Sequence, residues 1–146
     1  MSEEVLTAPH VVEYTYTRST GPAIGAFLTA LRDKKFVGVR ASDGRVIVPA
    51  IDYDPVTSED LSDYVEVADT GVVTTWSWND KPTKGQPLDK PFAWALVKLE
   101  GADVPFLAAV DAGSPDAIST GATVTARWRD ERVGSITDLV CFEVMK

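Results

Sequence analysis

Cysteine and histidine are nearly missing from this chain of 146 residues, which holds one of each, Cys141 and His10. A single cysteine allows no disulfide within the chain, so stability has to come from a packed core, and the expected compartment is the reducing cytoplasm. A single histidine, placed in an N-terminal stretch without apolar periodicity, supplies a base to a Ser-His-Asp or Cys-His arrangement only if that stretch folds back over a site. Cys141 lies in the apolar run LVCFEV, where a free thiol packs as a small hydrophobe. Positive charge is also short. Fourteen Lys and Arg face 22 Asp and Glu, a formal net charge of −8 at pH 7 that repels phosphate backbones and anionic membranes. No apolar run approaches the roughly 20 residues that span a bilayer. The opening MSEEVLTAPH is acidic where a secretory signal would be basic and then apolar. The expectation is a soluble cytoplasmic chain with neither nucleic acid nor a membrane as its partner.

What the chain does have is 45% hydrophobic residues, ten glycines and nine prolines, a composition that buries a core while turning often. Residues 1–10 read as frayed and VVEYTYT (11–17) as an extended arm. Ser19 or Thr20 can then cap a helix that Pro22 starts, and Ile24, Phe27, Leu28 and Leu31 recur at i, i+3, i+4 and i+7. An amphipathic helix of about three to four turns follows, ending near Asp33-Lys34-Lys35, and its stripe must lie on its own domain or on a partner. FVGVRA and RVIVP, joined by Ser42-Asp43-Gly44, read as a hairpin. From Tyr64 onward the pattern is strands alone: YVEVAD, TGVVTTWSW, PFAWALVKL, VPFLAAVD, GATVTARW and ITDLVCFEV, with a short helical turn in GSPDAIST. Such a run fits a small Greek-key barrel of the OB type. The fold class is mainly β, with the N-terminal arm and helix at 1–35, the hairpin at 36–62 and an OB-fold barrel at 63–146. The polar loop NDKPTKGQPLDKP is long for a compact barrel and is read as functional or interfacial.

Candidate chemistry is sparse. Asp52, Asp54, Glu59 and Asp60 suggest a hard-cation loop, but counting from Asp52 puts Thr57 where an EF-hand needs glycine and Asp63 where it needs glutamate. GPAIG contains GxxxG in a polar-flanked helix, which means close packing of a helix face. Trp76, Trp78, Trp94 and Trp128 could stack on bases, yet they alternate with small apolar residues as core residues do. Arg127, Arg129 and Arg132 form one local basic cluster, a candidate seat for the phosphates of an anionic ligand.

The order of helix, hairpin and barrel, with GAFLTALRDKKFVGVRASDGRVIVP, PFAWALVKLEGAD and GATVTARWRDERVGSITDLVCFE, resembles a known family. These are the zinc-ribbon, OB-fold accessory proteins encoded beside thiolases, catalogued as domain of unknown function thirty-five. The family's ribbon is rubredoxin-like, holding zinc with two C-x-x-C knuckles. Here VRASDGRVIVPAIDYDPVT puts Arg40, Asp43, Asp54 and Thr57 at those four positions. Arg cannot ligate zinc, and two carboxylates with a hydroxyl replace four thiolates poorly, so a metal-free ribbon without cofactor is expected. An ion pair from Arg40 to Asp43 or Asp54 would fill the space. The resemblance further implies a non-catalytic subunit of a thiolase-like acyl-CoA enzyme, a lyase or aldolase or a thiolase, in steroid side-chain degradation among other routes. Catalytic residues would lie in that partner, and Ile24, Phe27, Leu28 and Leu31 would dock on it, in a homodimer or hetero-oligomer. The alternatives are a free-standing acyl-CoA binder using Arg127, Arg129 and Arg132, and a binder of single-stranded nucleic acid.

Overall fold

The computed structural model describes residues 4–146. Helix α1 (Gly21–Arg32) is followed by strands β1 (Phe36–Arg40), β2 (Val46–Ile47), β3 (Tyr64–Val67), β4 (Thr70–Asn79), β5 (Phe92–Leu99), β6 (Phe106–Asp111), β7 (Thr123–Trp128) and β8 (Leu139–Val144). Short 3-10 turns at Pro115–Ala117 and Ile136–Asp138 interrupt the last connections. None of the described helices is long and apolar enough to cross a membrane.

Five strands close a barrel in the order β4-β5-β6-β8-β7, with β7 returning to β4 through Thr70↔Thr125 and Val72↔Thr123. All neighbours are antiparallel except β6 and β8, which run parallel at Val110↔Phe142 and Asp111↔Glu143. This is the topology of an OB-fold, with the 3-10 turn at Pro115–Ala117 in the connection from the third to the fourth barrel strand. Gly71 lets β4 bend onto β5, since a Cβ there would collide with the Lys98 carbonyl.

The sequence reading begins the barrel at residue 63, but β3 pairs with β1, from Phe36↔Val67 to Val39↔Tyr64, and completes a three-stranded sheet β2-β1-β3. The barrel strands proper start at Thr70. Alternation along YVEV marks a strand without naming its neighbour, and the free edge of β1 takes it. The β1–β2 hairpin turns as expected at Asp43-Gly44. Gly44 N–H donates to the Ala41 carbonyl, and Gly44 takes φ 88°, the left-handed residue that follows a tight turn. At the helix start, the Ser19 hydroxyl accepts from Gly21 N–H, whereas Thr20 makes no capping bond.

Helix, ribbon and barrel share one core. Phe36 of β1, fully buried, lies 6.5 Å from the Phe27 ring of α1, 5.9 Å from Phe106 of β6, 5.1 Å from Trp128 of β7 and 5.9 Å from Phe142 of β8. Leu31 and Ala23 bury the rest of the helix stripe in the same cluster. Polar ties reinforce the joint. Asp103, in the turn between β5 and β6, accepts from Val46 N–H at 2.8 Å and donates its own amide to the Val46 carbonyl. Arg132 donates to the carbonyl of Arg32, where the C-terminal dipole of α1 favours a cation.

Truncating Phe36 opens a void facing three layers at once. Phe36→Ala is expected to cost about 3–5 kcal/mol of unfolding free energy with an unchanged m-value, measured by urea titration. A loss below about 1 kcal/mol would show that the rings can close over the gap.

Candidate functional site

Two regions are candidates for a site, the ribbon turns and the side of the barrel beneath the long loop. In the ribbon, the four knuckle positions do not form a donor set. Arg40 reaches Asp63 at 3.2 Å and the Gly44 carbonyl at 3.3 Å, and Asp43 pairs with Arg45 at 2.6 Å, so the expected pair from Arg40 to Asp43 or Asp54 does not form. The reason is register: Arg40 points along the β1 edge toward the chain that leads into β3.

Asp54 turns inward instead. It is buried, and its carboxylate accepts from Ser42 N–H at 2.8 Å, Val56 N–H at 2.8 Å and Thr57 N–H at 3.0 Å. Ser42 belongs to the first turn and Val56 and Thr57 to the second, so one side chain joins both where a ribbon metal would. Backbone amides from Ser42, Thr57 and Val56 stabilise the charged form and hold its pKa far below the usual carboxylate range. Glu59 accepts from the hydroxyls of Ser42 and Thr57 at the rim. With both Asp54 oxygens occupied by amides and Arg40 among the four, these residues do not fit a zinc ion.

The second region is a cleft of about 460 Å³ on the outer face of the barrel. Its position follows from strand pairing. The parallel ladder between β6 and β8 ends at Val110↔Phe142, and Phe106–Ala109 and Leu139–Cys141 draw apart beyond it. Gly85, Gln86 and Pro87 of the loop after β4 form one lip, and Arg129, Ile136 and Thr137 of the loop after β7 form the other. These are the loops and the face with which OB barrels take ligands.

Each lip is fixed. Gln86 accepts from Asn79 and from Thr83 N–H, and Leu88 is buried among Phe92, Ala109 and Cys141. Opposite, buried Asp138 gathers the amides of Val133, Gly134 and Ser135 and closes a capping box with Ser135. Burial opposes the charge on Asp138, but those three amides outweigh it and its pKa falls below the ordinary carboxylate range. Ser-Ile-Thr-Asp has the S-x-x-D pattern of a capping box, a signal in the sequence that the strand-only reading passed over.

The arginine cluster comes apart. Arg127 is neutralised by Asp111 at 3.0 Å and Glu143 at 2.6 Å, with Lys90 joining Asp111 at 2.9 Å. Arg132 is committed to the carbonyls of Arg32, Arg129 and Asp130. Arg129 alone lines the cleft, with no ion pair among the described residues. Cys141 lines it too, but burial pushes its thiol up to about 11, far from a thiolate at neutral pH. Of the tryptophans, Trp94 reaches the cleft, while Trp76, Trp78 and Trp128 pack on the main core. No group of three His, Cys, Asp or Glu that could hold a metal occurs among the described residues.

The helix stripe also divides. Phe27 and Leu31 are inside the chain's own core and offer nothing to a partner, whereas Ile24 and Leu28 are half-buried. An amphipathic period reports that a face is covered, not by what. Exposed apolar surface lies elsewhere, on Leu107 and Ile136 of the cleft and on the arm before α1 among other places.

The Asp54 junction makes a pH prediction. Because its folded pKa is depressed, the stability it adds is complete above the ordinary carboxyl pKa of about 3.9 and is lost as pH falls below that value. Asp54→Asn is expected to melt earlier than the native chain at pH 7, with the gap in Tm narrowing between about pH 4 and pH 2 and closing only at still lower pH. A gap that stays constant over that range would show that the carboxylate charge is not what joins the turns.

Comparison with known proteins agrees with this geometry. Residues 64–129 match the family model described as ChsH2, C-terminal OB-fold domain. A solved protein of unknown function from the DUF35 family of Sulfolobus solfataricus has the same fold, with TM-score 0.64 and 22% identity over 86% of this chain and 85% of that one. A chain of the Ltp2-ChsH2(DUF35) aldolase is similar with TM-score 0.64 and 19% identity, over 88% of this chain and 98% of that one. No curated protein sequence matches. Residues 64–129 are therefore similar to the C-terminal OB-fold domain of ChsH2, in a chain that has the fold of the DUF35 structures.

Proposed function

We propose that this chain is a non-catalytic subunit of a thiolase-like enzyme acting on acyl-CoA esters, sterol side-chain esters among them. The observation that carries the reading is the cleft. It lies where OB barrels take ligands, yet its walls hold no acid-base pair and no ionised nucleophile, and its single thiol is inert. Leu107 is 61% and Ile136 51% exposed on it, an apolar rim suited to covering another protein's surface. Support comes also from the likeness in fold to a chain of the Ltp2-ChsH2(DUF35) aldolase, a protein named for two components. In this reading the reacting residues belong to the partner, whether it cleaves or condenses. The face bearing the loops 79–91 and 129–138 borders the partner's acyl-CoA entrance, and the ribbon serves as metal-free structure.

Co-expression with the thiolase-like enzymes of its source organism, followed by native mass spectrometry, is expected to give a hetero-oligomer. The isolated chain is expected to turn over no acyl-CoA ester. Absence of a complex would overturn the reading.

Arg129 favours a second reading, a free-standing binder of acyl-CoA, since an unpaired cation at the mouth of an apolar cleft suits an anionic head and an acyl tail. Titration with CoA esters separates the two. Binding by the lone chain that weakens about tenfold in Arg129→Ala would favour the binder, and no binding would leave the accessory subunit.

A further inference from the structure

The segment before α1 is unlike the rest of the molecule. Residues 4–20 form neither helix nor strand, and six large apolar side chains on it are open to solvent: Val5 79%, Leu6 88%, Val11 72%, Val12 73%, Tyr14 78% and Tyr16 71%. Within it, Val11–Thr17 alternates. Val12, Tyr14 and Tyr16 share one face of an extended chain, with the Tyr14 and Tyr16 rings 5.8 Å apart, while Val11, Glu13, Thr15 and Thr17 share the other. These seven residues are β-branched, aromatic or Glu, without proline or glycine, so every one has an amide to donate. The arm leaves a fixed point, because α1 is held in the core by Phe27 and Leu31 and Gly21 starts beside Asp52 of the ribbon.

Such a segment needs a sheet edge of its own length, about 23 Å for seven residues. The described residues offer none. The barrel is closed, β2 has two residues and β3 four, and the open side of β6 in the cleft runs only from Phe106 to Ala109. Two arms pairing with each other would make a two-stranded ribbon with no layer beneath it, which is marginal in water.

We infer that residues Val11–Thr17 add as an edge strand to a sheet of the partner enzyme, with the Val12, Tyr14 and Tyr16 face against that partner's surface. Main-chain hydrogen bonds then supply affinity, and the aromatic face supplies register and specificity. The inference rests on the accessory-subunit reading and names a docking element outside the helix stripe, whose Phe27 and Leu31 lie in the core.

The test compares the full chain with Tyr14→Pro/Thr15→Pro, which removes two adjacent amides, and with a chain lacking residues 4–17, each co-expressed with the thiolase-like enzymes of its source organism. Hydrogen exchange on the full complex is expected to protect amides between Val11 and Thr17. Native mass spectrometry is expected to show the complex weakened about tenfold or more in both variants, while circular dichroism of the body stays native. Undiminished complex with either variant overturns the inference and leaves the accessory reading standing. No complex even with the full chain overturns both. Self-association of the isolated full chain that the deletion abolishes overturns it in favour of a second copy of this chain as the acceptor.

Discussion

The packing of Phe36 against Phe27, Phe106, Trp128 and Phe142 is the interaction on which the architecture depends. A helix of 12 residues is marginal alone, a three-stranded sheet with a two-residue edge has too little surface to stand alone, and the barrel has an apolar end to cover. One ring in the first ribbon strand meets all three. Because aromatic pairs add about 0.5–1.5 kcal/mol each beyond burial, this joint is far stronger than the exposed pairs Lys35–Glu66 or Arg40–Asp63, worth about 0–1 kcal/mol. Ile24 and Leu28 are left half-buried at the edge of that joint.

Away from the aromatic joint, the irregular parts are organised by two buried carboxylates that use backbone amides as their counter-charge. Asp54 joins the two ribbon turns and Asp138 shapes the loop that forms one lip of the cleft. Each collects three amides from chain that has no ladder to satisfy them, Asp54 from two turns and Asp138 from one loop. This device gives rigidity without chemistry. The same economy marks the cleft, where one lip is held by Gln86 and Leu88, the other by Asp138, and the wall by an inert thiol.

Much of this was legible in the sequence, for physical reasons that differ by element. Period-two runs of Val, Thr and aromatic residues placed every barrel strand, and the helix period placed α1. Asp43-Gly44 marked its turn because the left-handed residue there has to be glycine. Pairing was not legible: YVEV alternates equally well beside β1 or in the barrel, and the free edge of β1 decided it. Ligand substitution was visible at Arg40, Asp43, Asp54 and Thr57, but which carboxylate would turn inward depended on amides that only the folded turns bring together. Arginine spacing suggested a cluster at 127, 129 and 132. Strand alternation sent Arg127 to Asp111 and Glu143, while the loop turned Arg132 to backbone carbonyls. The cleft itself leaves no mark in a sequence, since it arises from two parallel strands parting after Val110↔Phe142.

The central claim is that helix, ribbon and barrel fold as one unit around Phe36, with the ribbon held by a carboxylate and by packing. Native-state hydrogen exchange in increasing urea tests it most directly. The account predicts that the slowest amides of α1, β1 and β5 open with the same free energy and the same urea dependence, as parts of one global unfolding event. Amides of α1 and β1 that open at distinctly lower free energy, while β5 keeps its protection, would contradict it.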